Sequence, residues 1–118
     1  MKFIRYINYN DIFDKMKKIK RNLNPSEIIK IIESHKDRIR SYDVKKLGLF
    51  GSFLNRKNDN RSDMDFLVVF NKSNFDNYMG LKFLLEKIFN RKVDLVIEKI
   101  LKPRLKYVKK EALYAKRL

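Results

Sequence analysis

Asp63 and Asp65 stand two residues apart at the start of the apolar run MDFLVVF. In an extended strand, residues i and i+2 point the same way, so both carboxylates leave one face near one end of it. Asp94 lies inside a second short apolar run, VDLVI. If the two runs pair as neighbouring strands, the third carboxylate converges on the first two. Three carboxylates in one place repel one another. A divalent cation relieves that repulsion, and Mg²⁺ takes hard oxygen ligands together with substrate phosphates. Two such ions can polarise a phosphate and stabilise its attacking and leaving oxygens. Asp94 has Val93, Leu95, Val96 and Ile97 as neighbours. Its carboxylate is therefore expected near buried surface, where it needs a cation or hydrogen-bond donors. The structural alternatives are a turn-capping Asp63, a strand-edge Asp65 that deters mispairing and an Asp94 paired with an arginine.

Gly51 and Ser52 directly follow a third apolar run, KLGLF. Glycine lets the backbone turn tightly and brings N–H groups close to a phosphate. The Ser52 hydroxyl adds a donor. A Gly-Ser pair alone also fits a plain strand-ending turn, and neither common Gly-rich phosphate-loop pattern occurs in the chain.

The elements that must position these residues follow from periodicity. Pro25 and the isoleucines at 28, 29, 31, 32 and 39 predict a helix over residues 25–40. Strands are expected at 46–50, 64–70 and 93–97. Residues 71–76 read as a turn and 78–89 as a helix with Leu81, Leu84, Leu85, Ile88 and Phe89 on one side. Pro103 marks a stop, and the basic segment 105–118 reads as a terminal helix. The N-terminal residues Phe3 to Ile7 fit strand or helix, and Ile12, Phe13, Met16 and Ile19 recur at helical spacing. Helices alternating with short strands give an α+β (α/β) class, a small sheet flanked by helices.

The chain has 118 residues and 44% apolar content, enough for one folded domain. It contains no cysteine, which excludes disulfides and thiolate metal sites. No apolar run spans a bilayer, and the N-terminus turns acidic too soon for a signal peptide, so a cytoplasmic location and no membrane partner are expected. The formal net charge is +15. Such charge fits a lysine-rich solvated surface, or attraction to ATP, an acidic partner or nucleic acid. It also makes each cluster of scarce acids more informative.

Taken in order, Phe50-Gly51-Ser52, Asp63-Met64-Asp65 and Asp94 resemble the signature of the DNA-polymerase-beta-like nucleotidyltransferases. Within that superfamily the chain is similar to the minimal nucleotidyltransferase (MNT) family. The similarity runs from about residue 28 to 115 and includes LFGSF, SDMDFLVVF and KVDLVIEKIL, then Pro103-Arg104-Leu105 and Glu111-Ala112. Residues 1–24 read as an N-terminal extension and 25–118 as the nucleotidyltransferase domain.

The resemblance implies a small mixed sheet with helices packed on it and an active site along one sheet edge. It implies that Gly51 and Ser52 bind the triphosphate of ATP. It implies that Asp63, Asp65 and Asp94 bind two Mg²⁺ ions, with Asp94 helping to activate the incoming hydroxyl. Arg56 and Arg61, with Lys57, are candidates to neutralise the triphosphate. Where members often continue with a small residue, Arg and Gly, this chain has Leu54-Asn55-Arg56, and its loop 57–61 is basic rather than acidic.

The implied reaction moves AMP from ATP to a hydroxyl, with release of pyrophosphate. The implied acceptor is a tyrosine of a small helical HEPN-type toxin, silenced in a hetero-oligomer by this chain as antitoxin. Three other readings fit the residues: nucleotidyl transfer to RNA or a small molecule, a non-catalytic antitoxin that sequesters its toxin, and a basic DNA-binding module. Nucleic acid is not favoured, because no zinc finger, KH-type loop or OB-like strand run is visible. His35 is the single histidine and reads as a helix-surface residue.

Overall fold

A computed structural model of the chain describes residues 23–54, 63–100, 111–116 and 118. The expected helix over residues 12–19, the candidate cations Arg56, Lys57 and Arg61, and the stop at Pro103 lie outside the described residues.

Helix α1 spans Pro25–Ser34. Its start is written locally. Asn24 accepts from the Glu27 amide at 2.8 Å, and the Glu27 carboxylate accepts from the Asn24 amide at 3.2 Å. That reciprocal box, with Pro25 in the first turn, satisfies donors that a helix start leaves orphaned. Ile28, Ile29 and Ile32 turn inward.

The single helix expected over 25–40 is broken at His35, and α2 is a separate short helix, Lys36–Arg40. The cause is competition for one carbonyl. Ile31 O would receive the His35 amide in a continuous helix. It is engaged instead by the Ser34 hydroxyl at 2.6 Å and by His35 Nδ1 at 2.9 Å. The His35 amide moves to Ile32 O at 2.9 Å, which tightens the turn. His35 is thus the hinge between two helices.

Strand β1 is Val44–Phe50, two residues longer than expected at its start, with an irregular register between Val44 and Lys46. Strands β2, Met64–Phe70, and β3, Val93–Ile97, match the expected bounds. Helix α3 joins them as Phe75–Phe89. It begins inside the expected turn because Asn74 caps it, accepting from the Asn77 amide at 2.8 Å. It ends at Asn90 in the left-handed conformation, φ 51°.

The C-terminal segment departs most from expectation. Leu113–Tyr114 form β4, a short strand antiparallel to β1. Where residues 105–118 are described, only Glu111 is helical. Leu113 and Tyr114 are held by strand pairing, not on a helical stripe.

The sheet order is β3-β2-β1-β4. β1 runs antiparallel to β2 and β4, and β2 runs parallel to β3, with α3 as the crossover that parallel pairing requires. Met64, Phe66, Val68 and Phe70 alternate along β2 into one core with Ile28 and Ile32 of α1, Ile39 of α2, and Leu81, Leu85 and Phe89 of α3. The rings of Phe66 and Phe89 meet at 5.9 Å. This is the small mixed α/β sheet with flanking helices that the sequence implies. Among the described residues no helix is long and apolar enough to cross a membrane.

Phe66 is fully buried at the centre of this layer. Phe66→Ala is expected to cost about 3–5 kcal/mol. Urea unfolding followed by circular dichroism would show it as a lower midpoint with an unchanged slope.

Candidate active site

The helices cover the face of the sheet that holds Met64, Phe66 and Val68. By strand alternation Asp65 and Leu67 of β2 point to the other face. Asp94 of β3 shares that face, between Val93 and Leu95, which are buried in the core. The pairing register aligns Phe50, Asp65 and Asp94 in one row across β1, β2 and β3. Asp63 precedes Asp65 by two residues and sits just before β2. The three candidate carboxylates therefore stand at the N-terminal ends of two parallel strands.

Asp65 is half-buried, and Asp63 and Asp94 are exposed. The exposure of Asp94 corrects the expectation of a buried surrounding. β3 is an edge strand, and its apolar neighbours Val93 and Leu95 face the helices, which leaves the alternate side chain open. The edge itself is capped by α3. Glu86 Oε2 accepts from the Val93 amide at 3.1 Å, and the Tyr78 hydroxyl donates to Leu95 O at 2.7 Å. These bonds flank Asp94 and satisfy backbone groups that an edge strand would otherwise leave open.

Gly51 opens a tight 3-10 turn, Gly51–Phe53, directly after β1. Its φ is 78°, in the region that favours glycine. A Cβ at Gly51 would run into the carboxylate of Asp65. The turn thus carries backbone against carboxylate with no side chain between them. Phe53 anchors it in the core, with the Arg91 guanidinium 4.9 Å from the centre of its ring. Ser52 lies in the same turn.

The electrostatics are those of crowded like charges. Burial first, then the charges of Asp94 and Asp63, push the Asp65 carboxyl up from 3.8 to about 6. Among the described residues no Lys or Arg forms an ion pair with any of the three. Nor are any three His, Cys, Asp or Glu side chains among them gathered closely enough to hold a metal ion. Repulsion acts over longer distances than coordination. The carboxylates are near enough to raise the Asp65 pKa, and they must draw inward to share an ion. Hard, anionic oxygens in a row beside a glycine turn have the donor chemistry that suits Mg²⁺ with a nucleotide. The paired alternative for Asp94 finds no arginine partner among the described residues.

Sequence reasoning missed Glu98 and Tyr114. The Tyr114 hydroxyl donates to Glu98 Oε2 at 3.0 Å, beyond the far end of the strand that carries Asp94. The signal in the sequence was the Glu98 carboxylate four residues beyond Asp94. Tyr114 was hidden because its segment read as a helix.

Residues 26–118 match the nucleotidyltransferase domain family. The chain belongs to that family. Protein adenylyltransferase MntA of Thermococcus cleftensis is 33% identical over 95 residues, 78% of this chain and 96% of that protein. A Methanocaldococcus jannaschii protein to which the same activity is ascribed is 40% identical over 78 residues, 63% of this chain and 78% of its own length. A solved structure ascribed to the minimal nucleotidyltransferases superposes with a TM-score of 0.59 at 27% identity, covering 72% of this chain and 93% of that one. A mutant of the toxin–antitoxin pair MntA–HpeT shares the fold at 21% identity, with a TM-score of 0.57 over 79% of this chain and 73% of that one.

The Asp65 shift has a signed consequence for this nucleotidyltransferase. The native state holds the Asp65 proton more tightly than the unfolded chain does. Its contribution to stability is complete below about pH 3.9 and is lost as pH rises through about 6. Without divalent ions, Asp65→Asn is expected to melt higher than wild type at pH 7, with the difference closing near pH 4. Thermal unfolding in chelator from pH 4 to 7.5 checks this. Parallel curves would contradict it.

Proposed function

We propose that this nucleotidyltransferase is a protein adenylyltransferase that moves AMP from ATP to a hydroxyl of a partner toxin and so acts as its antitoxin. The observation that carries the reading is the row Phe50–Asp65–Asp94 beside the side-chain-free turn at Gly51. Relatives named or ascribed as protein adenylyltransferases support the donor and the class of acceptor. A toxin–antitoxin structure with AMP-PNP, 26% identical with a TM-score of 0.51 over 70% of this chain and 64% of that one, supports both nucleotide and partner.

In this reading Asp63, Asp65 and Asp94 hold two Mg²⁺ ions. When bound, these supply positive charge beside the reacting phosphate and the departing oxygens. The chain's own groups do the rest. Gly51 and Ser52 present backbone N–H groups to the β- and γ-phosphates. Arg56 and Arg61 neutralise the remaining phosphate charge. The acceptor oxygen, that of a tyrosine on a helical HEPN-type protein, attacks the α-phosphorus. The bond from that phosphorus to the bridging oxygen breaks and pyrophosphate leaves. Asp94 is the exposed member of the row and orients the acceptor hydroxyl or takes its proton. Asp65 must be ionised to hold a cation, so at limiting Mg²⁺ transfer falls as pH drops through about 6, and saturating Mg²⁺ moves that fall to lower pH.

The test is transfer of label from α-labelled ATP with Mg²⁺ to a helical HEPN-type toxin protein. Label on that protein, absent with the variant carrying Asp63→Asn and Asp65→Asn, is the expected result. If the double variant still silences the toxin and wild type attaches no label, the chain acts by sequestration. Label on RNA instead would move the acceptor to nucleic acid.

A further inference from the structure

Among the described residues no helix lies on the face of the sheet that carries the carboxylates, and Leu67 at its centre is fully buried. Tyr114 belongs to β4, where it pairs with Gly48 of β1, and Gly48 pairs with Leu67 of β2. Its ring lies on Gly48, since a Cβ there would stand 2.9 Å from Tyr114 Cδ1 and 3.0 Å from Cε1. Its hydroxyl reaches Glu98, in the 3-10 turn that follows β3. Two side chains, Tyr114 from the β4 edge and Glu98 from the turn beyond the opposite edge strand, thus meet over this face.

The Tyr114 end of this link is fixed. The Ala115 amide donates to Leu47 O at 2.9 Å, and the Lys116 amide donates to Glu33 Oε2 of α1 at 2.7 Å. Glu98 is four residues beyond Asp94 on the same short element path. Burial, then the hydrogen bond to Glu98, push the Tyr114 phenol up to about 12. The hydroxyl therefore stays a donor throughout the neutral range.

The geometry points to Tyr114 as a positioning residue for Asp94. Its bond to Glu98 straps the carboxylate-bearing face, holds the far end of β3 in register, and so keeps Asp94 against Asp65. Gly48 is the seat of the strap: a methyl group there pushes the ring off the strand. The link to catalysis rests on the adenylyltransferase reading above, but the strap itself is testable without it.

Amide hydrogen exchange on the metal-free full chain is the first measurement. Tyr114→Phe, Glu98→Ala and Gly48→Ala should each speed exchange at Asp94 and Val96 by about tenfold, with Ile29 of α1 unchanged. Glu98→Gln, whose amide oxygen still accepts from Tyr114, should stay within about twofold of wild type. Paramagnetic titration should then show Mn²⁺ bound about tenfold more weakly by Tyr114→Phe. In the transfer assay kcat should fall while KM for ATP holds.

Equal acceleration at Ile29 would make Tyr114 a general stabiliser and overturn the strap. Unchanged exchange at Asp94 would overturn it as well. If β3 loosens as expected and wild type attaches no AMP to any acceptor, the strap stands and the adenylyltransferase reading falls.

Discussion

The carboxylate of Asp65 packs against the backbone of Gly51 and faces Asp94 across the β2–β3 pairing. Asp63 adds a third negative charge to the same corner. Left alone, such a corner would spread. The surrounding structure opposes that spreading with apolar packing on the other face of the sheet. Met64, Phe66, Val93 and Leu95 are buried among the helices, so the strands that carry the acids cannot slide apart without exposing them. A one-residue slip in either strand would turn its acids into the core.

The same constraint explains why the edge is so well tied. Among the described strands β3 has a partner on one side only, yet it carries Asp94. Glu86 and Tyr78 from α3 bond its outer backbone, and Glu98 at its end bonds Tyr114. The crowding of charge is a local destabilisation of the kind found at functional sites, offset by the core beneath. A chain with formal charge +15 does not answer it with ion pairs among the described residues. The raised Asp65 pKa is the visible result, and it marks the place where a cation is worth most.

Much of this was legible because the site lies where local pattern is strongest. The runs MDFLVVF and VDLVI become β2 and β3 with the expected bounds, and the alternation within each places its acids on one face. Three features were not legible, each for its own physical reason. The break at His35 depends on two side chains capturing the Ile31 carbonyl, which apolar periodicity does not register. The exposure of Asp94 depends on β3 being an edge, a property of strand order and not of its neighbours in sequence. The pairing of Leu113 and Tyr114 with β1 is set by residues some 65 positions away, so a helical reading of the isolated tail had nothing to oppose it. Gly48 held the one local trace of that pairing, a strand glycine under a ring.

The central claim is that the carboxylate row and the Gly51 turn together form a site for a divalent cation and a nucleoside triphosphate. Backbone amide shifts during titration with Mg²⁺ and a non-hydrolysable ATP analogue test it most directly. The account predicts shifts confined to residues 51–53, 63–65 and 93–95, growing only when both the cation and the nucleotide are present. Shifts spread over α1 or the basic C-terminal tail, indifferent to Mg²⁺, would instead mean that the chain's positive charge gathers the nucleotide and that the row does not hold it.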